Sequence, residues 1–167
     1  MVNYEIPGSL HCTFILWDNP LPVVAGIVEK DENIILAHNV SWPKNMYSAI
    51  TGFLERGESP DQGVMREVKE ELGLNAENVE LIGVYPFERM NQVIIAYHII
   101  AKGTISLNEE LDDYKTIPKN KVKGWPFGVG LAIADWVKTI ALECLRYRYF
   151  TFHSLLHMYP SHHRTVC

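Results

Sequence analysis

The spacing of hydrophobic and polar residues divides the middle of the chain into short strands and two helices. Apolar runs bounded by glycine, proline, asparagine or aspartate are typical of strands. The most apolar of them, VIIAYHII, has no polar face, which predicts a strand in the centre of a sheet. We predict strands at Val23–Val28, Ile34–Ala37, Tyr47–Ile50, Val79–Tyr85, Gln92–Ala101 and Tyr114–Ile117.

Two segments have the period of an α-helix instead. The first is introduced by Ser59, Pro60 and Gln62, a capping box with a proline at the first helical position, and Gly73 is a typical residue just past a helix end. The second predicted helix is Leu131–Tyr149. One arc of the first helix is apolar and is therefore its predicted core face; it comprises Val64, Met65, Val68 and Leu72.

Mixed strands with two helices predict an α/β (α+β) domain, a sandwich of helices on a mixed sheet. We place this domain at residues 22–149, between an N-terminal extension, 1–21, and a C-terminal tail, 150–167. The apolar patch Phe14–Trp17 is expected to pack on the domain or to form a subunit contact. The tail carries four of the seven histidines without cysteine or carboxylate at ligand spacing, which favours a partly ordered or dimer-packing tail over a metal site.

Three glutamates, Glu67, Glu70 and Glu71, share the arc of the first helix next to its core face, with Arg66 beside them. Carboxylates three and four residues apart on a helix repel each other by roughly 0.2–0.5 kcal/mol per pair. A hard divalent cation that prefers oxygen ligands, such as Mg²⁺, would neutralise them. A solvated acidic face is the alternative interpretation, and the surrounding glycines, Arg66 and Glu58 favour the metal site.

The spacing of these residues matches a known motif. Residues 52–74 match the motif G-x5-E-x7-R-E-U-x-E-E-x-G-U, where U is an aliphatic residue, at every fixed position. The motif begins at Gly52, continues through Glu58 and Arg66-Glu67, and ends at Leu74. In this motif the chain resembles the Nudix hydrolase family. The resemblance implies the Nudix α/β/α fold over approximately Pro22–Tyr149, and hydrolysis of a nucleoside diphosphate linked to another moiety.

The same resemblance implies a set of metal ligands. Glu67 and Glu71, one helical turn apart, would be the principal ligands of Mg²⁺, with Mn²⁺ as the alternative ion. Glu70 would complete the cluster, and the carbonyl of Gly52 would also reach a metal. A further carboxylate from outside the motif is common in the family as a ligand or general base, and Glu110 is its predicted position.

Two supporting features remain open between alternatives. Glu110 is the favoured position of the further carboxylate, because a Glu-Leu pair precedes the last predicted strand, and Glu109 is the second choice. The alternative interpretation is that both residues belong to a solvated acidic loop. Arg66 is implied to orient Glu58 or Glu70 through a charge-assisted hydrogen bond rather than to contact substrate. Glu58 would then support the ligands from behind, and an ordinary salt bridge is compatible with the same contacts.

Charge and cysteine content narrow the choice of partners. A net charge of −5 and a pI near 5.8 argue against a polyanion-binding surface, so we expect a small nucleotide-derived substrate and no nucleic-acid polymer. The three cysteines are scattered, which indicates neither a zinc ribbon nor a disulfide framework. The sequence has no basic leader and no apolar run of membrane-spanning length. We therefore expect no membrane partner and a cytoplasmic protein, and the resemblance implies a homodimer.

Features outside the motif resemble the NADH pyrophosphatase branch of the family. Tyr85-Pro86-Phe87, followed by Gln92 and an apolar strand, is similar to that branch's SQPWPFPxS segment, and the loop Trp125–Gly128 leads into a helix. Only the Pro-Phe core of the segment is shared, and the four-cysteine zinc ribbon of that branch is absent from these residues. Ordinary aromatic packing and solvated side chains are the alternative interpretation. The predicted substrate contacts are Phe53, Tyr85, Phe87, Arg89 and Gln92.

Three functions are compatible with these patterns. The first is a Mg²⁺-dependent pyrophosphatase for NADH, ADP-ribose or a similar compound, which yields two phosphorylated products. The second is a MutT-like nucleoside-triphosphate pyrophosphohydrolase, which yields a mononucleotide and pyrophosphate. The third is a non-catalytic Nudix module that senses a nucleotide; lost glutamates in the motif would support it, and all are present.

Overall fold

A computed structural model describes residues 18–156, with side chains described over residues 18–142. The predictions for Phe14–Trp17 and for the histidines after Leu156 lie outside the described residues. A short 3₁₀ turn, Glu88–Met90, separates the fourth and fifth strands. The other elements, in chain order, are β1 (Leu21–Lys30), β2 (Asn33–Asn39), β3 (Ile50–Phe53), α1 (Pro60–Leu72), β4 (Asn75–Phe87), β5 (Gln92–Lys102), β6 (Leu111–Pro118) and α2 (Val129–Leu156).

The strands form one mixed sheet in the order β4-β5-β1-β2-β6, and β3 pairs with the first half of β1. The β1–β5 pair is parallel, from Leu21 opposite Gln92 to Glu29 opposite Ile100, while the other pairs are antiparallel. Because β5 lies between β4 and β1, the prediction of a central apolar strand is confirmed. This parallel pair brings the start of β5 to the start of β1, where the site lies.

The two helices cover opposite faces of the sheet. On the α1 face, Val64, Val68 and Leu72 are fully buried against the sheet, and each such side chain contributes about 1.5–3 kcal/mol by burial. Met65, predicted on the same arc, is only half-buried. On the α2 face, Ile133 and neighbouring residues of α2 pack on a second core. These helices on a mixed sheet confirm the predicted α/β sandwich.

The ends of α1 follow from local chemistry. The Ser59 backbone N–H donates to Gln62 Oε1 at 3.0 Å, which satisfies one of the free donors at the start of the helix. Gly73 has φ +68°, a left-handed conformation that costs glycine little, and its N–H donates to the Lys69 carbonyl. The predicted bounds of this helix are confirmed, so the register of its acidic face is set.

Several element boundaries differ from the prediction, among them those of β3, β4 and α2. The third strand is β3 rather than Tyr47–Ile50, because its partners on β1 pair Val23 with Phe53 and Gly26 with Ile50. Gly52 therefore lies within the strand, and Ser48 makes only an isolated bridge to Ala37. β4 begins four residues earlier than predicted, and α2 continues beyond Tyr149 to Leu156. Among the described residues, no helix is long and apolar enough to cross a bilayer.

Candidate active site

The acidic face of α1 lies directly against β3, and the contact depends on Gly52. A Cβ at this position would lie 1.9 Å from Oε1 of Glu67, far inside any van der Waals contact. Only glycine lets the carboxylate lie on the strand at this point. The absence of a side chain at Gly52 thus allows the carboxylate of Glu67 to pack directly against β3.

Arg66 joins three segments of the site. Its guanidinium donates to both carboxylate oxygens of Glu58, at 3.2 and 2.9 Å, and to the Phe53 carbonyl at 3.1 Å. It also donates to Glu67 at 2.8 Å and to Glu70 at 3.1 Å. The predicted contacts with Glu58 and Glu70 are therefore present, and those with Glu67 and Phe53 were not predicted. This fork ties α1 to β3 and to the loop between them.

Glu58 is held as an anion. Its Oε1 accepts the backbone N–H of Glu55 at 2.7 Å in addition to the guanidinium of Arg66. The hydrogen bond from Arg66, followed by that from the Glu55 backbone, lowers the pKa of Glu58. Glu58 therefore lies behind the cleft as a fixed partner of Arg66, as the sequence motif implied.

Glu71 lies in the opposite electrostatic situation. Its side chain is buried, with 7% exposed, and burial raises its pKa to about 8, helped by the charges of Glu67, Glu110 and Glu70. Burial also raises the pKa of Glu67, against the opposing hydrogen bond from Arg66. Carboxylates that raise one another's pKa in this way are stabilised as anions by a cation among them.

These carboxylates line a cleft of about 450 Å³ that also contains Arg66 and Phe53. Within residues 18–142, no three acidic, histidine or cysteine side chains are already gathered into a closed metal-binding set. Arg66 holds Glu67 and Glu70 in its own hydrogen bonds. The donor set nevertheless fits a hard divalent cation, because it consists of oxygen ligands around a buried carboxylate that lacks a neutralising partner. The carboxylates of the cleft are Glu55, Glu67, Glu70, Glu71 and Glu110.

A second cavity of about 370 Å³ opens on the α2 face of the sheet. Its lining residues carry no charged side chain. It meets the acidic cleft at Val23, Thr51 and Gln92, which line both. The two compartments therefore adjoin each other, and we describe them as the acidic half and the aromatic half of the site. The aromatic residues of the second half are Trp42, Tyr47, Phe87, Trp125 and Phe127.

Some of the predicted substrate residues line the two compartments, and others lie outside them. Phe53 lines the acidic cleft and is 56% exposed, Phe87 lines the aromatic cavity, and Gln92 lines both. Tyr85 lines neither: its ring packs against the core on the α2 side, and its hydroxyl donates to Asp135 at 3.1 Å. Tyr85 shares a face of β4 with Phe87 but lies two residues further from the mouth, where α2 covers the sheet.

Two further predicted positions lie at the edges of this site. Arg89 is exposed in the 3₁₀ turn and lines neither compartment, so the prediction of a substrate contact there is not supported by its position. Glu110 lines the acidic cleft immediately before β6, whereas Glu109 does not. The structure thus places Glu110, rather than Glu109, with the carboxylates of α1.

The aromatic half of the site was largely missed from the sequence. Trp42 and Trp125 lie in loops, each directly before a proline, and come together only through the sheet. A large aromatic residue next to a proline in a loop is a weak signal, because it also occurs where a loop covers a core. Thr51 was missed for a different reason, since it was placed after the predicted strand rather than within it.

Comparison with known proteins gives the following matches. A family model described as NUDIX domain matches residues 19–136. The mouse "NAD(P)H pyrophosphatase NUDT13, mitochondrial" is 33% identical over 101 residues, which are 59% of this chain and 29% of that protein. "NAD-capped RNA hydrolase NudC" of Mycobacterium bovis (strain BCG / Pasteur 1173P2) is 31% identical over 78 residues, 47% of this chain and 25% of that protein. The matched region is therefore less than a third of the length of these two relatives.

One solved structure supports the same fold. The crystal structure of a NUDIX hydrolase from Nitrosomonas europaea superposes with a TM-score of 0.63 and 24% sequence identity. The superposition covers 76% of this chain and 75% of the other. At 24% identity, this similarity shows a common fold and nothing further.

Proposed function

This chain belongs to the Nudix family, and we propose that it is a divalent-metal-dependent pyrophosphohydrolase for a nucleoside diphosphate linked to a second moiety, such as NADH or ADP-ribose. One observation carries the proposal: an acidic cleft and an uncharged aromatic cavity adjoin each other at Val23, Thr51 and Gln92. The cleft suits the pyrophosphate with its metal, and the cavity suits a nucleoside. The names of the mouse and mycobacterial relatives support this substrate class.

The residues that would hold the metal are the carboxylates of the cleft. Glu67 and Glu71 would be the main ligands of Mg²⁺, with Mn²⁺ as the second choice, and Glu70, Glu110 and the Gly52 carbonyl would complete the set. When bound, such an ion neutralises phosphate charge and lowers the pKa of a bound water. Arg66 donates to one carboxylate oxygen of Glu67 and to one of Glu70, so the second oxygen of each would be free to bind the ion.

The reaction is attack of water on one phosphorus of the pyrophosphate. A P–O bond to the water oxygen forms, the bridging P–O bond breaks, and two phosphorylated products leave. Glu70 or Glu110 accepts the proton of the attacking water on a carboxylate oxygen, since both are exposed and line the cleft. Arg66 orients Glu67 and Glu70 and holds β3 through the Phe53 carbonyl, while Glu58 fixes Arg66.

The aromatic cavity would hold a base or nicotinamide ring. Stacking on aromatic side chains is worth about 1–3 kcal/mol per base. The lining residues carry no charge, so the cavity favours an uncharged ring over a phosphate and directs the phosphates toward the cleft. Gln92 lies at the junction, where its side-chain amide can hydrogen-bond the ribose or the adjacent phosphate.

A substrate panel tests the proposal. The protein is assayed with Mg²⁺ on NADH, ADP-ribose, diadenosine polyphosphates, nucleotide sugars and oxidised dNTPs, and the products are separated by chromatography. Two phosphorylated products from NADH or ADP-ribose, lost in Glu71→Gln, are the expected result. A mononucleotide with pyrophosphate from a dNTP would instead indicate the MutT-like activity. No turnover, combined with calorimetric binding of a nucleotide, would indicate a sensor.

A further inference from the structure

One wall of the aromatic cavity is a loop whose backbone is attached to the sheet only at its two ends, where Val40 bonds to Glu110 and Ser48 pairs with Ala37. The segment 40–47 contributes Trp42, Met46 and Tyr47 to the lining. Its internal backbone hydrogen bonds are local, from the Trp42 N–H to the Asn39 carbonyl and from the Met46 N–H to the Pro43 carbonyl. Between these two ends, side-chain contacts hold the wall in position against the sheet.

His38 provides the first of these attachments. Its Nδ1 lies 2.6 Å from Asp112 Oδ1 on β6, and its Nε2 lies 3.2 Å from the Pro43 carbonyl in the wall. Both partners are acceptors, so the imidazolium form donates to both at once. The hydrogen bond to Asp112 raises the pKa of His38 and favours that form. His38 thus joins the middle of the loop to β6.

Tyr47 provides the second attachment. Its hydroxyl donates to Asp113 Oδ2, and Lys115 Nζ lies 3.7 Å above the centre of its ring. Asp113 and Lys115 are alternate residues of β6 and face the same side of the sheet. β6 therefore contacts Tyr47 twice, at the hydroxyl through Asp113 and at the ring face through Lys115. The same strand contacts His38 through Asp112.

This strand begins directly after Glu110. The pairing of β2 with β6 shifts between His38 and Asn39, so that Asp112 is an extra residue in a bulge. The Val40 N–H donates to the Glu110 carbonyl at 2.9 Å at the other side of this bulge. Bulges beside active sites re-aim the side chains next to them. The aromatic wall and the Glu110 side chain consequently share one short piece of backbone.

We propose that His38 and Tyr47 are positioning residues that couple the aromatic wall to Glu110 through Asp112 and Asp113. The inference rests on the proposed function, in which the cavity holds the nucleoside and Glu110 serves the metal. It follows that loosening the wall weakens nucleoside binding and also displaces Glu110 from the cleft. A role in folding alone would change neither quantity.

Tyr47→Phe tests the coupling, because it removes only the hydroxyl that reaches Asp113 and keeps the ring. We expect KM for ADP-ribose or NADH to rise roughly threefold to tenfold, the range for loss of one partly exposed hydrogen bond. The Mg²⁺ concentration for half-maximal activity should rise with it. Tyr114→Phe is the matched control, because it removes the same hydroxyl group at a different place. Tyr114 follows Asp113 in β6, so its side chain lies on the opposite side of the sheet from Asp113, and it is 40% exposed.

A double-mutant cycle separates this pair from a general loss of stability. Tyr47→Phe and Asp113→Asn remove the same hydrogen bond, so their combined effect on KM should be smaller than the product of the single effects. If Tyr47→Phe lowers only the melting temperature and leaves KM and the Mg²⁺ dependence at wild-type values, the coupling is refuted. The hydrolase assignment would then still stand, provided that Glu71→Gln is inactive.

Absence of turnover by the wild-type protein would refute the proposed hydrolase instead. The positioning role is then decided by calorimetric titration with AMP in the absence of metal. Weaker AMP binding in Tyr47→Phe than in Tyr114→Phe supports the role of Tyr47 in holding the wall. Equal binding by the two variants overturns it.

Discussion

Removing the charge of Glu71 should stabilise the metal-free protein while it abolishes the reaction. Glu71 is buried beside Glu67, Glu70 and Glu110, and its pKa is raised from an ordinary 4.5 to about 8. Above pH 4.5 the carboxyl ionises in the unfolded chain but keeps its proton in the folded protein. The folded state then binds more protons, so the free energy of unfolding falls from pH 4.5 to pH 8 and levels off above it.

The size of the effect follows from the two pKa values. At about 1.36 kcal/mol per pKa unit, the difference between 4.5 and about 8 sets an upper limit of about 5 kcal/mol. The cleft is open to water and counter-ions, and screening of that kind reduces the cost to about 1–2 kcal/mol. For a chain of 167 residues, this corresponds to a rise in melting temperature of about 2–8 °C in Glu71→Gln.

Calorimetric melting in EDTA measures this effect. Wild type and Glu71→Gln are compared at pH 5 and at pH 8, and the gain of the variant should be present mainly at pH 8. Glu70→Gln is the matched control, because Glu70 is the neighbouring residue on α1 but its side chain is 55% exposed. Added Mg²⁺ should raise the melting temperature of wild type more than that of Glu71→Gln.

Two results would contradict this reasoning. One is a Glu71→Gln protein that melts below wild type at pH 8 in EDTA, which would mean that the charged carboxylate has a stabilising partner. The other is a gain of the same size at pH 5 and pH 8, which would point to packing rather than charge. Retained Mg²⁺-dependent turnover in the variant would show that Glu71 is not a ligand.

Three further substitutions probe other parts of the site. Gly52→Ala places a Cβ against Glu67 and should lower the turnover number about 100-fold, the cost of misplacing a catalytic group by about 1 Å; steady-state kinetics measures it. Arg66→Lys loses the two-pronged contact with Glu58 and should cost about 1–3 kcal/mol in urea unfolding. Trp125→Ala should raise KM for ADP-ribose or NADH about 5- to 150-fold by loss of stacking, with the turnover number nearly unchanged.

The parts of the fold that were predictable are those determined by local chemistry. The ends of α1 follow from Ser59, Gln62 and Gly73, whose preferences act within one helical turn. β3 was misplaced because its position is decided by pairing with Val23–Gly26, far away in the sequence. No local sequence pattern near Tyr47 predicts that pairing.

The candidate site divides in the same way. The acidic half lies mostly on one helix and one adjacent strand, so its residues could be recognised from their spacing. The aromatic half joins Trp42 with Trp125, which are brought together by the sheet alone. Tyr85 and Phe87 have the same local pattern, and only the position of α2 determines that Tyr85 contacts Asp135 instead of the cavity.

The guanidinium of Arg66 acts as a built-in counter-ion. Its single positive charge is shared among Glu58, Glu67 and Glu70, whereas Glu71 has no ion pair among the described side chains and loses its charge by holding a proton or by binding an added ion. Domains that fold around a structural metal unfold when the metal is withdrawn. Here chelation should leave a folded protein that regains activity when the ion returns. Because Arg66 uses only one oxygen of Glu67 and one of Glu70, the ion can bind and leave without breaking the contacts that hold α1 to β3.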